Sequence, residues 1–168
     1  MIKIVLTLSA ALLSCKISFA TAQTFIQTTG EWSAFKDGTG KSRSCYIASE
    51  PQKETGNYKR RGDTFVLVSH RPEESIRDVF ELRAGYVYKK GSGATVAIDG
   101  KKFELFTQQS TAWAKDEKTD RALTRAMIRG SKMLVTGTST RGTKTVDTYS
   151  LRGFTAAYKR IGRECGVK

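Results

Sequence analysis

Histidine is almost missing from this chain: His70 stands alone among 168 residues. A zinc site built on imidazole and thiolate lacks its ligands, because no second histidine exists and the cysteines show no CxxC spacing. A phosphate-cradling loop is missing too. Gly91-Ser92-Gly93 is not followed by a helix and a lysine, so it reads as a turn. Nucleophilic chemistry has little to work with. His70 sits at a strand end before Arg71-Pro72, and it gains a thiol partner only if a cysteine stays free. Asp63, Asp99 and Asp147 fall at or near predicted turns, where aspartate is expected anyway. No spacing marks a carboxylate pair for glycoside hydrolysis. The expectation is a non-enzymatic protein with no catalytic, metal-ligating or cofactor-binding residues.

Long apolar runs are also absent, and a transmembrane helix needs about 20 such residues. The one compact run, Ile4 to Leu13, follows Lys3 and precedes the small-x-small triplet Ala20-Thr21-Ala22. Residues 1–22 therefore read as an export signal cleaved before Gln23, which predicts a periplasmic or secreted protein. Leu12-Leu13-Ser14-Cys15 resembles a lipobox, and acylation of Cys15 would make the protein an anchored lipoprotein instead. Against that reading, Lys16 follows the cysteine directly and the Ala-Thr-Ala site lies at a normal distance downstream.

Acidic residues are scarce: 16 stand against 29 lysines and arginines. Losing Lys3 and Lys16 with the signal lowers the formal charge from +13 to +11. Such a balance concerns partners rather than fold. Outside the cytoplasm the available anions are lipopolysaccharide, anionic lipids, acidic glycans and stray nucleic acid. Residues 23–168 suit one domain with a substantial core. Two cysteines remain after cleavage, Cys45 and Cys165, and an even pair in an exported domain most simply forms a disulfide. Two free thiols are the alternative. In the chain-entropy picture a loop of this length contributes about 4–5 kcal/mol.

Short strands dominate the rest. Phe25–Phe35, Arg43–Ser49, Thr64–His70 and Ile76–Tyr88 carry β-branched and aromatic residues with partial alternation. Ala94–Ile98 and Lys101–Thr107 flank Asp99-Gly100, a strong type I′ hairpin signal. Phe103, Leu105 and Thr107 should share one face of the second strand. Lys132–Thr138 and Thr143–Leu151 form another hairpin around Arg141-Gly142. Glu50–Asp63 reads as a mobile loop or a crossover between sheets. A helix is predicted over Asp116–Arg129, with Ala122, Leu123, Ala126 and Met127 buried and Gly130 ending it. A second runs from about Gly153 to Cys165, with Phe154, Ala157, Tyr158, Ile161 and Cys165 on one face. The fold class is mainly β, a sandwich or small barrel with two helices, one of them C-terminal.

The basic residues form three clusters. Lys118, Arg121, Arg125 and Arg129 share one side of the first helix. Lys159, Arg160 and Arg163 lie opposite the apolar face of the second. Lys59, Arg60 and Arg61 fall in the long loop. Charge runs are usually solvated faces, and the functional reading is that some converge into an anion-binding patch. Tyr58, Tyr86 and Tyr88 lie near basic residues and offer stacking for bases. No nucleic-acid-binding motif accompanies them, so nucleic acid is not the expected partner.

Several segments in order resemble one bacterial family. Arg61-Gly-Asp-Thr-Phe-Val-Leu-Val-Ser-His-Arg-Pro72, Val96-Ala-Ile-Asp-Gly-Lys-Lys-Phe-Glu-Leu-Phe106 and Thr111-Ala-Trp-Ala-Lys-Asp116 are similar to the invasion-associated locus B family. So are Gly137-Thr-Ser-Thr-Arg-Gly-Thr-Lys-Thr-Val-Asp-Thr-Tyr-Ser-Leu151 and the helix ending in Cys165. The likeness covers the chain from Trp32 onward. It implies an exported Gram-negative envelope protein with an immunoglobulin-like β-sandwich, linked in pathogens to entry into host cells. It carries over no catalytic or ligand-binding residue. The expected function is an exported envelope protein that meets an anionic partner and contributes to adhesion or invasion. The alternatives are a periplasmic binding or chaperone-like module for an anionic envelope component, and an enzyme with an unrecognised site. Intact-mass analysis of the mature protein should find Gln23 as its first residue; a diacylated Cys15 would make it a lipoprotein.

Overall fold

A computed structural model of the protein describes residues 23–167, so the export signal and Cys15 lie outside the described residues. Within them eleven strands and two α-helices follow one another: β1 (Thr24–Thr29), β2 (Trp32–Asp37), β3 (Ser44–Ser49), β4 (Lys53–Gly56), β5 (Phe65–Arg71), β6 (Ile76–Arg83), β7 (Ala94–Ile98), β8 (Lys101–Gln108), β9 (Thr111–Trp113), α1 (Glu117–Arg129), β10 (Lys132–Thr138), β11 (Lys144–Ser150) and α2 (Phe154–Cys165). The fold is mainly β with two helices, the second C-terminal, as expected.

Alternation decides which way each strand faces. Cys45, Ile47 and Ser49 are buried on β3, and Val66, Val68 and His70 on β5. On β8, Phe103 and Leu105 point inward while Phe106 is exposed, which is the register read from the sequence. The strands pair antiparallel in the order β1-β2-β3-β5-β6-β9-β8-β7-β10-β11-β4. β8 belongs to both halves. Its Lys101–Leu105 stretch pairs with β7, and Phe106–Gln108 pairs with β9. The β7–β8 turn carries Asp99 at φ 45° and Gly100 at φ 90°, the two positive angles that its sequence demanded. Trp32, Ile47, Phe80 and Leu82 of the first sheet share one core with Val96, Leu105, Met133 and Tyr149 of the second.

Several boundaries differ from the sequence reading. Phe25–Phe35 is a tight hairpin rather than one strand, because Gly30 turns the chain at φ 58°. Ile76–Tyr88 ends as a strand at Arg83. The segment 50–63 crosses between sheets, as one of its two readings held, and it contains the edge strand β4 paired with β11. The three-residue β9 carried too few residues to be read.

Both helices cover the core. The Asp116 side chain caps α1 by accepting from the Thr119 N–H at 2.7 Å. Leu123 and Met127 are fully buried, whereas Ala122 and Ala126 sit half-buried at the margin of the stripe. Asp120 and Thr124 take the inner positions instead. Asp120 earns its place chemically: its Oδ1 accepts the Phe80 N–H of β6 at 2.9 Å, and burial pushes its carboxyl up to about 6. On α2, Phe154, Ala157, Ile161 and Cys165 are buried against β1, β2, β3 and β5. Cys165 is bonded to Cys45 at 2.06 Å with the two Cα atoms 6.0 Å apart. Trp32 secures the same corner. Its ring meets Phe154 edge-on at 4.9 Å and its Nε1–H donates to the Ser150 carbonyl at 3.0 Å. Gly153, at φ 92°, permits this approach, since a Cβ there would lie 1.9 Å from the Thr29 carbonyl oxygen.

No helix among the described residues is long and apolar enough to cross a membrane. Cys45→Ala should lower unfolding stability by about 2–5 kcal/mol, the usual range for a disulfide in a small secreted domain. Urea denaturation with and without reductant measures it. Identical midpoints for the oxidised, reduced and substituted proteins would show that the bond does not hold α2 in place.

Candidate anion-binding cleft

The loop 57–64 lies against one end of the second sheet, fastened backbone to backbone. The Gly62 N–H donates to the Gly85 carbonyl at 2.9 Å. Gly85 sits at φ 67°, and a Cβ on it would come within 2.2 Å of the Gly62 carbonyl oxygen. This contact turns Arg61 inward. Its Nη1 and Nη2 donate to the two carboxylate oxygens of Asp147 at 2.6 and 2.7 Å, and its Nε donates to the Ala84 carbonyl at 2.7 Å. The Arg61 and Asp147 side chains are only 3% and 2% exposed. The guanidinium also lies 5.6 Å from the centre of the Tyr58 ring and 5.0 Å from that of Tyr86.

Two sequence readings are corrected here. Asp147 is not a turn residue: it stands in mid-β11, between the inward-facing Thr145 and Tyr149, opposite Glu54 of β4. Arg61 does not belong with the ligand-facing cations, because its charge is neutralised by Asp147 and, at 3.6 Å, approached by Glu54. Asp147 gave no signal beyond its alternation with Thr145 and Tyr149, and that signal was available.

Above this neutral floor opens a cavity of about 720 Å³. Lys59 and Arg60 enter it from the loop and Arg141 from the tip of the β10–β11 hairpin. All three are exposed and carry no ion pair among the described residues. Hydroxyl-bearing Ser139, Thr140 and Thr143 stand on the hairpin side. Tyr86 is fixed by its hydroxyl, 2.7 Å from Thr145 Oγ1, and burial raises that hydroxyl's pKa. Tyr88 does not reach the cleft wall: it is 5% exposed and packs edge-on to Tyr86. Arg141 was read only as part of a turn, since nothing local says that a hairpin tip will face a loop some 80 positions earlier.

The remaining clusters lie elsewhere. Lys118, Arg121, Arg125 and Arg129 are exposed on α1, opposite Leu123 and Met127, and Arg121 pairs with Glu117. On α2, Arg160 pairs with Glu164 at 2.6 Å. Lys159 and Arg163 border a smaller cavity that includes His70. The large cleft takes in the loop cluster alone. Among the described residues His70 has no thiol to activate, because Cys45 and Cys165 are bonded to each other. Its Nδ1 accepts the Asp78 N–H at 3.2 Å, and burial lowers its pKa.

Asp147→Ala should destabilise the protein by about 3–5 kcal/mol, because it removes the bidentate partner of a buried charge and leaves Arg61 only the more distant Glu54. The double variant Arg61→Met, Asp147→Leu should be more stable than that single one in urea titrations. A double variant as unstable as Asp147→Ala would assign the loss to packing rather than to the stranded charge.

No curated protein and no solved structure matches the chain. The sequence model of the invasion associated locus B (IalB) protein does match, over residues 32–162, from the Trp32 corner through β11 and into α2. That span takes in β2 to β11, α1, most of α2 and every residue named at the cleft. The chain belongs to the invasion associated locus B family.

Proposed function

We propose that the protein is an exported, non-enzymatic envelope protein that holds an anionic component of the envelope or of a host surface in the Lys59–Arg60–Arg141 cleft. Membership of the family suggests an envelope or invasion-associated protein, and a bonded cysteine pair suits an oxidising compartment. The amino-terminal signal supports a periplasmic or secreted location. One observation carries the choice of site: three exposed cations without ion pairs among the described residues converge on one cavity whose floor is already charge-neutral. A phosphate, sulfate or carboxylate of lipopolysaccharide, an anionic lipid or an acidic glycan meets unopposed positive charge there. Contacts of exposed charges are screened over roughly 8–10 Å at physiological ionic strength, so binding weakens as salt rises.

The test compares two variants with the same net charge. Lys59→Gln, Arg60→Gln, Arg141→Gln should elute from immobilised heparin or lipopolysaccharide at markedly lower salt than the wild type. Arg121→Gln, Arg125→Gln, Arg129→Gln should shift less. Equal shifts would mean that net charge alone governs retention, and a larger shift for the second variant would move the site to α1.

A further inference from the structure

We infer that the cavity beneath the C-terminal half of α2, lined by His70, Lys159 and Arg163, is a binding site for a single phosphate group. The cavity measures about 260 Å³, and Tyr158, Gly162 and Val167 complete its wall. His70 is fully buried. Because its Nδ1 accepts the Asp78 N–H, the neutral imidazole carries its proton on Nε2. That Nε2 is buried and has no hydrogen-bond partner. Tyr158 does not relieve it: its hydroxyl donates to Asp78 Oδ1 at 2.6 Å, and its ring meets the imidazole edge-on at 5.3 Å. A buried donor without an acceptor is costly, so a native fold that keeps one calls for an explanation.

Lys159 and Arg163 supply the second observation. They are exposed, one helical turn apart, and without ion pairs among the described residues. Like charges at i, i+4 repel, and an anion between them removes that repulsion. The acid nearest in sequence does not serve them, because Glu164 is taken by Arg160 at 2.6 Å and approached by Lys36 at 4.0 Å. The helix dipole accounts for a cation in the last turn, hence for Arg163. It does not account for the bare Nε2–H.

Among the described residues that line this cavity, the polar side chains without a partner are donors only: the buried imidazole N–H, an ammonium and a guanidinium. They suit a ligand made of acceptors, and two positive charges suit a dianion. The space admits one phosphate group rather than a sugar chain. That group can be inorganic phosphate or the phosphomonoester head of a lipid. The site is separate from the Lys59–Arg60–Arg141 cleft and does not depend on it.

The single histidine makes the test direct, since one imidazole gives one set of nitrogen resonances. Inorganic phosphate is titrated into the full protein at constant ionic strength, balanced with chloride, while the His70 nitrogens are followed by NMR. A saturable shift of Nε2 is expected, weakened at least tenfold in Lys159→Gln, Arg163→Gln. Both substitutions are at exposed positions, and circular dichroism verifies the fold. Acetate at the same ionic strength should leave Nε2 unmoved. A non-saturating shift, a shift unchanged in the double variant, or an equal response to acetate would each overturn the assignment. Vesicles of phosphatidylcholine with and without phosphatidic acid then separate the sources. Sedimentation with phosphatidic acid that the double variant loses identifies a membrane headgroup as ligand. A phosphate-induced shift without such sedimentation identifies a soluble one.

Discussion

The two halves of the β-structure are unequal, and that inequality governs the rest of the fold. Among the described residues the first sheet engages β1, β2, β3, β5, β6, β9 and the end of β8, while the second has the start of β8, β7, β10, β11 and β4. The smaller sheet leaves part of the larger inner face bare. Exposing Cys45, Phe80 and Trp32 to water would forfeit burial worth roughly 25 cal/mol per Å² of apolar surface. The helices fill the gap, α2 over β1, β2, β3 and β5, and α1 over β6. The disulfide and the Trp32–Phe154 contact then fasten α2 where no sheet holds it.

Helix cover brings its own polar problem, and β6 shows how it is met. The β5–β6 pairing slips between Ser69 and Arg71, and Asp78 adopts φ 62°, unfavourable for a residue other than glycine. The Asp78 N–H is taken by His70 Nδ1 and the Phe80 N–H by Asp120 Oδ1. Both acceptors are inward-facing side chains that would be anomalous in a purely apolar core. Each satisfies a backbone donor, as a buried amide requires. Asp120 reaches across from α1, so the same bond docks the helix. The buried Arg61–Asp147 pair plays the corresponding part at the other end, tying an irregular loop to β11.

What could be read in the sequence was what local chemistry determines. Period-two burial of β3, β5, β7 and β8, the Asp99-Gly100 turn, the Asp116 cap and the apolar face of α2 all rest on neighbours within a few positions. The cysteine pairing was legible by count despite a separation of 120 residues. Arg61 and Asp147 were misread because their partnership spans 86 positions, and each alone resembles an ordinary loop or turn residue. β4 has only Lys53-Glu54-Thr55-Gly56 to show, and its strand character comes from the open edge of β11. Of the cleft, Lys59 and Arg60 were named in advance, while Arg141 required the tertiary placement of a hairpin tip.

The same accounting of polar groups shows what several of the few carboxylates do. They are withdrawn from the surface balance or bound to backbone amides. Asp147 neutralises Arg61 in the interior, and Asp120 accepts from Phe80. Asp116 caps α1, while Asp99 accepts from the Ser131 and Lys132 N–H groups at 3.0 and 3.3 Å. These acids serve folding: Asp147 is withdrawn together with the Arg61 charge, whereas Asp99 and Asp116 keep their exposed charges beside their own helix cap and turn. Lys59, Arg60 and Arg141 at the cleft, Lys159 and Arg163 at the smaller cavity, and Lys118, Arg125 and Arg129 on α1 have no ion pair among the described residues. An anion approaching the protein therefore meets positive charge at the ends of the β-structure and along both helices. Selectivity among those places must come from shape and donor geometry. On that criterion the two cavities, each with an architecture fixed by buried polar contacts, are better suited than an open helix face.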